Sequence, residues 1–211
     1  MNKKTLPKEL QSYIEAGMPH SLNYQEYREL IVKLHQEGKT TGPSEFDKYL
    51  DYSLLNEVRM KRLDKTVILN EALERILQSL SVHQTWILIT ESWCGDASQS
   101  VPIIAKMADS AGDKVNLRLI FRDQHPEIMK YYLTDGGNSI PKLIAVDDKQ
   151  LELFHWGPRP AELQKKVMDY KYMPEPKKPY NEFQEEVHKW YADDKTVSVQ
   201  SELMTLLSSS N

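Results

Sequence analysis

Apolar positions in the first 65 residues recur at spacings of three and four, the pattern of amphipathic helices. The clearest run covers 22–35 and ends at a glycine, with Ser21 as the expected cap. A second run covers 45–63, whereas 1–20 has little periodicity and is expected to be a loose arm with one helical turn. These patterns predict a helical extension at the N-terminus.

The pattern changes at residue 66, where helical and strand-like runs begin to alternate. Helices are predicted over 66–81 and 98–111 and from 126 and 160, and strands over 86–90, 115–122, 142–146 and 151–156. Their order along the chain is helix, strand, helix, strand, helix, strand, strand, helix. The expected caps are Thr66 or Asn70 for the first of these helices and Asp123 for the helix at 126. The last two strands are separated by a short Asp-Asp-Lys turn, which favours a hairpin. This order indicates an α/β fold in which helices cover both faces of a mixed sheet.

Prolines between 174 and 179 mark a stiff connection after the alternating region, and a further amphipathic helix is predicted over 181–191. The last residues, 208–211, are expected to fray. The chain is therefore divided into a helical extension over 1–65, an α/β domain over 66–172, and a linker with a helical tail over 173–211.

Composition limits the classes of partner. The 211 residues include 27 Lys and Arg against 31 Asp and Glu, with no basic patch and no apolar run approaching ~18 residues, so neither nucleic acid nor a membrane is an expected partner. The six histidines include no pair at ligand spacing, and one cysteine cannot form a zinc knuckle. We expect no metal and no other cofactor. A lone cysteine allows no internal disulfide, which suits a reducing compartment and predicts a cytoplasmic protein.

That cysteine, Cys94, lies where the predicted strand over 86–90 gives way to a helix. A thiol at this joint faces the first unpaired amides of the helix, whose dipole of about half a positive charge favours thiolate over thiol. The sequence therefore predicts a lowered pKa and a reactive thiol. The competing interpretation is a small, inert residue in the core.

The residues around Cys94 resemble the active-site motif of the thioredoxin family, where Trp-Cys-Gly-Pro-Cys stands in place of Trp-Cys-Gly-Asp-Ala at 93–97. Further landmarks match in order, and these are Pro102, Ile140-Pro141 and Trp156-Gly157. The combination is similar to a bacterial branch of thioredoxin-like proteins that carry an N-terminal helical arm. The resemblance implies a thioredoxin-like fold over 66–172.

The resemblance also implies site roles. Cys94 would be the nucleophile, and a cis peptide bond at Pro141 would face it. The residues expected to contact a substrate or partner are Trp93, Gly95, Asp96, Ile140, Pro141, Gly157 and Arg159. Trp93 is either a lid on the core or a partner contact, and Arg159 either stabilises an anion or tethers its loop. Glu91, Asp123 and His125 are further candidates for proton handling.

Two positions depart from the family pattern. Ala97 replaces the second, resolving cysteine, and Leu88 replaces a buried acid that helps to move protons. Without a resolving thiol, a disulfide formed by Cys94 must be released by an outside thiol.

These observations leave alternative functions. The first is a monothiol thiol-disulfide oxidoreductase that acts on a protein or a low-molecular-weight thiol or disulfide. The second is a catalytically degenerate protein-binding module in which Cys94 is a relic. Peroxide reduction would need an arginine or threonine aimed at the peroxide, and the sequence places none. The sequence leaves the oligomeric state open.

Overall fold

The protein is described by a computed structural model that covers residues 4–42 and 47–210. The N-terminal part contains a short strand and helices with the bounds β1 Lys4–Thr5, α1 Lys8–Glu15, α2 Tyr24–Gln36 and α3 Asp47–Thr66. The two helices predicted over 22–35 and 45–63 are therefore present, although Glu45 and Phe46 lie outside the described residues. The region expected to be a loose arm holds both β1 and a full helix.

The start of α2 is fixed by Asn23 rather than by Ser21. The Asn23 side chain accepts a hydrogen bond from the Glu26 amide at 2.9 Å, and the Glu26 carboxylate accepts one from the Asn23 amide at 2.7 Å. This reciprocal capping box satisfies amides that the helix itself leaves open. Ser21 instead donates to the Met18 carbonyl at 2.7 Å, so the predicted cap is wrong.

The alternating region forms the predicted elements in the predicted order. Their bounds are α4 Glu71–Gln78, β2 Gln84–Thr90, α5 Gly95–Ala111, β3 Val115–Phe121, α6 Pro126–Met129, β4 Lys142–Asp147, β5 Leu151–Trp156 and α7 Ala161–Tyr172. Asn70 caps α4, as one of the two expected candidates. Asp123 does not cap α6, because His125 holds the capping position and its side chain makes no cap bond.

Within the described residues, five strands form one mixed sheet in the order β1-β5-β4-β2-β3. Strands β2 and β3 are parallel, whereas β2 with β4, β4 with β5 and β1 with β5 are antiparallel. The hairpin of β4 and β5 confirms the turn prediction. Parallel and antiparallel pairing together confirm the predicted mixed sheet and the α/β class.

The core lies on both faces of β2. Trp86, Ile87, Leu88 and Ile89 are all fully buried, as expected for a strand covered on each side. Residues of the extension such as Leu10 and Tyr27 belong to the same apolar cluster. Two helices follow α7, namely α8 Tyr180–Asp194 and α9 Val197–Ser210.

Helix α9 was not predicted, yet Val199, Leu203 and Leu207 on it are fully buried in the core cluster. Its serine and threonine content weakened the helical signal, although the buried positions keep spacings of four. None of the described helices combines the length and the apolar character needed to cross a membrane.

Candidate functional site

Cys94 occupies the capping position of α5, immediately after β2. Its amide donates to the Glu91 carbonyl at 3.1 Å, and its carbonyl accepts from the Ser98 amide at 3.1 Å, which begins the helix. The Cys94 thiol donates to the Ile140 carbonyl at 3.3 Å. The bond between Ile140 and Pro141 is cis. The thiol and this peptide therefore face each other, as the resemblance implied.

The surroundings of the thiol do not favour ionisation in this arrangement. Cys94 is only 8% exposed. Burial raises the pKa of its thiol to about 12, and the charge of Asp96 adds to this effect, while the amides of Ala97 and Asp96 and the Arg159 guanidinium oppose it. The predicted lowering of the pKa is wrong here, because loss of solvation outweighs the helix end.

Asp96 is held from two sides. Arg159, in the loop between β5 and α7, places Nη2 at 2.5 Å and Nε at 3.1 Å from Oδ2 of Asp96. The hydroxyl of Tyr191, on α8, donates to Oδ1 at 2.8 Å. The Arg159 Nη1 donates to Gln164 at 2.6 Å. Arg159 therefore tethers its loop to the motif and faces a carboxylate that neutralises its charge.

Helix α8 also contacts Gly95. A Cβ atom on Gly95 would lie 2.8 Å from Cε1 of His188, which is closer than real Cβ atoms approach other atoms. Glycine at this position thus lets the imidazole lie directly on the first turn of α5. Burial lowers the pKa of His188 to about 4, and the charge of Arg59 acts in the same direction. The imidazole is therefore neutral at pH 7.

Gly157 allows the other close approach in the site. Its φ is +108°, and a Cβ there would lie 2.2 Å from the Pro141 carbonyl oxygen. The nearby Lys142 Nζ donates to the Gly157 carbonyl. Burial lowers the pKa of Lys142 to about 8, with a further contribution from Arg159. The loop after β5 is thus packed onto the cis-proline strand, and Lys142 is a charged group that the sequence prediction missed.

Trp93 is covered by side chains of the protein itself. Its ring stacks on Tyr49 of α3, with centroids 4.8 Å apart and planes 15° from parallel. The Arg122 guanidinium lies 4.8 Å from the Trp93 centroid. Both contacts are compatible with the role of a lid on the core.

Glu91 and Asp123 contact each other, and both lie close to Gly42 together with Trp93. His125 packs against Tyr13 instead. Glu91 is fully buried, and its Oε1 accepts from the Asp123 amide at 3.2 Å. Burial raises the pKa of Glu91 to about 7, and the charge of Asp123 contributes to the increase. Asp123 therefore supports Glu91 and not the helix that it was expected to cap.

Ser92 joins the N-terminal extension to the motif. Its hydroxyl lies 2.7 Å from that of Thr40 and accepts from that of Ser53 at 2.8 Å. Its amide donates to Thr41 Oγ1 at 2.9 Å, and its carbonyl accepts from Asn56 Nδ2 at 2.9 Å. The extension therefore fixes the backbone two residues before Cys94.

Ser92, His188 and Tyr191 were not recognised from the sequence. A signal did exist for α8, because residues 180, 184, 188 and 191 form a polar and aromatic stripe at spacings of four, four and three, beside its apolar stripe. Among the described residues, no group of three or more His, Cys, Asp or Glu side chains is arranged to hold a metal ion.

Comparisons with known proteins bear on the fold. A protein of unknown function from Pseudomonas aeruginosa has a similar structure, with a TM-score of 0.56 and 12% identity over 90% of this chain and 99% of that one. An HIV epitope scaffold gives a TM-score of 0.54 and 12% identity over 90% of this chain and 100% of that one. Such low identities show the fold alone. No curated protein matches the chain.

The family model described as Thioredoxin matches residues 43–172, which is more than half of the chain. The matched region includes the motif at 93–97, the cis peptide bond at Pro141 and the loop at Gly157. The protein belongs to the thioredoxin family.

Proposed function

We propose that the protein is a thiol-disulfide oxidoreductase that works through Cys94 alone, in the cytoplasm, with a thiol from another molecule completing its cycle. One observation carries this proposal. The Cys94 thiol lies at the start of α5 and 3.3 Å from the Ile140 carbonyl, directly before the cis bond to Pro141. A disulfide sulfur that replaced the Ile140 carbonyl as the neighbour of the thiol would lie within reach of the Cys94 sulfur.

The reaction would proceed in two exchanges. The Cys94 thiolate attacks one sulfur of a disulfide, a new S–S bond forms, and the other sulfur leaves as a thiolate that takes up a proton. An external thiolate then attacks the mixed disulfide, restores Cys94 and leaves with the first sulfur in a new disulfide. A second external thiol that attacks this new disulfide completes the reduction of the substrate, so two external thiols supply the two electrons and Ala97 is not required to be a cysteine.

Reaction requires the thiol to be more exposed than it is in this arrangement. The raised pKa of Cys94 comes mainly from burial, whereas the amides of Asp96 and Ala97 remain aimed at the sulfur and favour its charged form. Local opening that admits water and substrate would therefore lower the pKa toward the range in which thiolates form.

Intact-mass spectrometry tests the proposal. The native protein is incubated with bis(2-hydroxyethyl) disulfide or oxidised glutathione, and the Cys94→Ser variant serves as the control. We expect one adduct on the native protein, none on the variant, and loss of the adduct when reduced glutathione is added. Absence of an adduct after incubation for hours at pH 8 would refute the redox function.

The alternative function is a protein-binding module in which the thiol takes no part. The 8% exposure of Cys94 favours it, since a buried thiol is an inert one. The two functions differ in the effect that Cys94→Ser should have in cells. If the protein is a binding module, cells that carry the variant should have the same phenotype as cells with the native protein. If it is an oxidoreductase, the variant should lose its function.

A further inference from the structure

The face of a thioredoxin fold that would meet a folded partner is covered here by the protein's own extensions. On one side, Tyr49 of α3 stacks on Trp93. A Cβ on Gly42 would lie 3.0 Å from the Trp93 Nε1 atom, so Gly42 lies against the same ring. An incoming protein therefore meets Tyr49 and Gly42 before it reaches the tryptophan beside Cys94.

On the other side, the cover comes from the C-terminal tail. His188 lies on Gly95, and Tyr191 is hydrogen-bonded to Asp96 at 2.8 Å. Glu202 of α9 accepts from the Trp156 indole at 2.7 Å and from the Ala161 amide at 2.7 Å. The tail is therefore fixed both to the first turn of α5 and to the loop that carries Gly157 and Arg159.

The tyrosines at the edge of this cover remain accessible. Tyr180, at the start of α8, is 62% exposed, and Tyr52 of α3 is 39% exposed. They belong to the two helices that contact the motif, through Tyr49 on Trp93 and through Tyr191 on Asp96. The cover formed by α3 and α8 thus carries exposed aromatic side chains at these two positions.

We propose that the substrate of Cys94 is a low-molecular-weight disulfide and not a disulfide carried by a folded protein, an inference that rests on the proposed function. A specific interface of standard size between folded proteins buries about 800 Å² on each partner. The surface that would supply this area around Cys94 is occupied by α3 and α8. A small disulfide needs only a passage wide enough for two sulfur atoms and their substituents, which a local opening of this cover would provide.

The step for such a substrate balances without any other oxidant. Cys94 thiolate and R–S–S–R give Cys94–S–S–R and R–S⁻, and a low-molecular-weight thiolate then releases Cys94 as R–S–S–R′ forms. A second thiolate R′–S⁻ attacks R–S–S–R′ to give R′–S–S–R′ and another R–S⁻, so the small disulfide is reduced to two thiols and two external thiols are oxidised. A small thiol also reaches the mixed disulfide through the same passage, so both halves of the cycle fit the covered site.

The experiment compares two probes on the full-length protein. Mixed-disulfide formation by Cys94 is timed by intact mass with bis(2-hydroxyethyl) disulfide and with insulin, whose disulfides lie on a folded chain. The same two rates are measured for N-acetylcysteine, and their ratio gives the preference of a free thiol for the small disulfide over insulin. For the protein, we expect the ratio of the small-disulfide rate to the insulin rate to be at least about tenfold larger than for N-acetylcysteine. The reason is that insulin can react only when the cover opens.

Variants that loosen the cover provide the second measurement. Tyr191→Phe removes one buried hydrogen bond, which corresponds to about a fivefold larger open population, and His188→Ala removes the contact on Gly95. The double variant is expected to raise the insulin rate more than the small-disulfide rate and so to reduce the preference. Tyr172→Phe, which makes the same change on a tyrosine that is 70% exposed, is expected to leave both rates unchanged.

The outcomes separate this inference from the function on which it rests. If insulin reacts with the native protein as readily as the small disulfide does, after normalisation to N-acetylcysteine, the inference is wrong and the oxidoreductase function stands. If the double variant reacts with both probes as the native protein does, α8 is not the barrier and the inference is again wrong. If neither probe forms an adduct, the proposed function itself fails.

Discussion

Arg159 contacts a single carboxylate oxygen of Asp96 through two nitrogen atoms, at 2.5 Å and 3.1 Å. Both side chains are largely buried, with 12% and 13% of their surfaces exposed. The pair joins the second residue after Cys94 to the loop that follows β5. Its strength therefore bears on how firmly the motif is held.

Removal of one partner of this pair should cost more than removal of both. Arg159→Met leaves the Asp96 carboxylate buried without its cation, and we expect a loss of about 3 kcal/mol in the free energy of unfolding. The double variant Asp96→Asn with Arg159→Met should be more stable than the sum of the single changes predicts. Urea denaturation measures all four proteins, and strictly additive losses would show that the pair is not coupled. Lys165→Met, in an exposed pair with Asp169, is the control and should change little.

Ser92→Ala should destabilise the protein although it removes a single oxygen atom. The hydroxyls of Thr40 and Ser53 would lose a buried partner, and we expect a loss of about 2 kcal/mol in unfolding free energy. Ser208→Ala, which removes a hydroxyl bonded to the Met204 carbonyl on exposed surface, is the matched control. Equal stability of the two variants would contradict the role assigned to Ser92.

Gly157→Ala should be among the most damaging single changes. The new Cβ would lie 2.2 Å from the Pro141 oxygen, so the backbone must move, and we expect a loss of about 4 kcal/mol or failure to fold. Gly38→Ala is the comparison, because Gly38 also has a positive φ but no atom within 4 Å of the added carbon. That variant should lose only about 1 to 2 kcal/mol from backbone strain. A Gly157→Ala protein as stable as Gly38→Ala would show that the loop adjusts freely.

Glu91 should make the protein less stable at alkaline pH. Its pKa is about 7 in the folded state against 4.5 for the ordinary carboxyl. Between these values the folded state binds the extra proton, so the contribution to stability is complete below pH 4.5 and is lost as the pH rises through 7. The loss should reach at most about 3 kcal/mol, and Glu91→Gln should remove it. Urea denaturation from pH 5 to 9 tests this, and parallel pH profiles for the two proteins would refute it.

His188 should make the protein less stable at acid pH. Its pKa is about 4 in the folded state and 6.5 for the ordinary imidazole, so the unfolded state binds the extra proton between these values. Its contribution is complete above pH 6.5 and is lost as the pH falls toward 4. His188→Gln should flatten the profile in this range by up to about 3 kcal/mol. If the unfolding free energy of His188→Gln falls toward acid pH as steeply as that of the native protein, another group causes the loss.

The fold could be predicted wherever local pattern and tertiary packing agree. The apolar run at Trp86–Ile89 and the spacing in α2 and α3 lead directly to the observed elements. Strand β1 could not be predicted, because two residues carry no period and depend on pairing with β5. Asp123 was misassigned because a carboxylate before Pro126 matches a cap, whereas its amide in fact bonds Glu91.

The site was predictable in its centre and not in its surroundings. Motif residues near Cys94 and Pro141 indicated which groups face each other. The pKa of Cys94 depends instead on burial, and the neighbouring residues Gly95 and Asp96 are contacted by His188 and Tyr191, which lie far along the chain. Local sequence around the thiol indicates the helix end that lowers the pKa, but it contains no information on these distant contacts.

The contact between Tyr191 and Asp96 also sets an order of events during synthesis. Tyr191 follows Cys94 by 97 residues, which a ribosome adds in roughly 5 to 20 s at about 5–20 residues per second. Through that interval the nascent chain carries its only thiol without the helix that later packs on Gly95 and Asp96. An oxidant or electrophile in the cell therefore meets this thiol most readily on chains that are still being made.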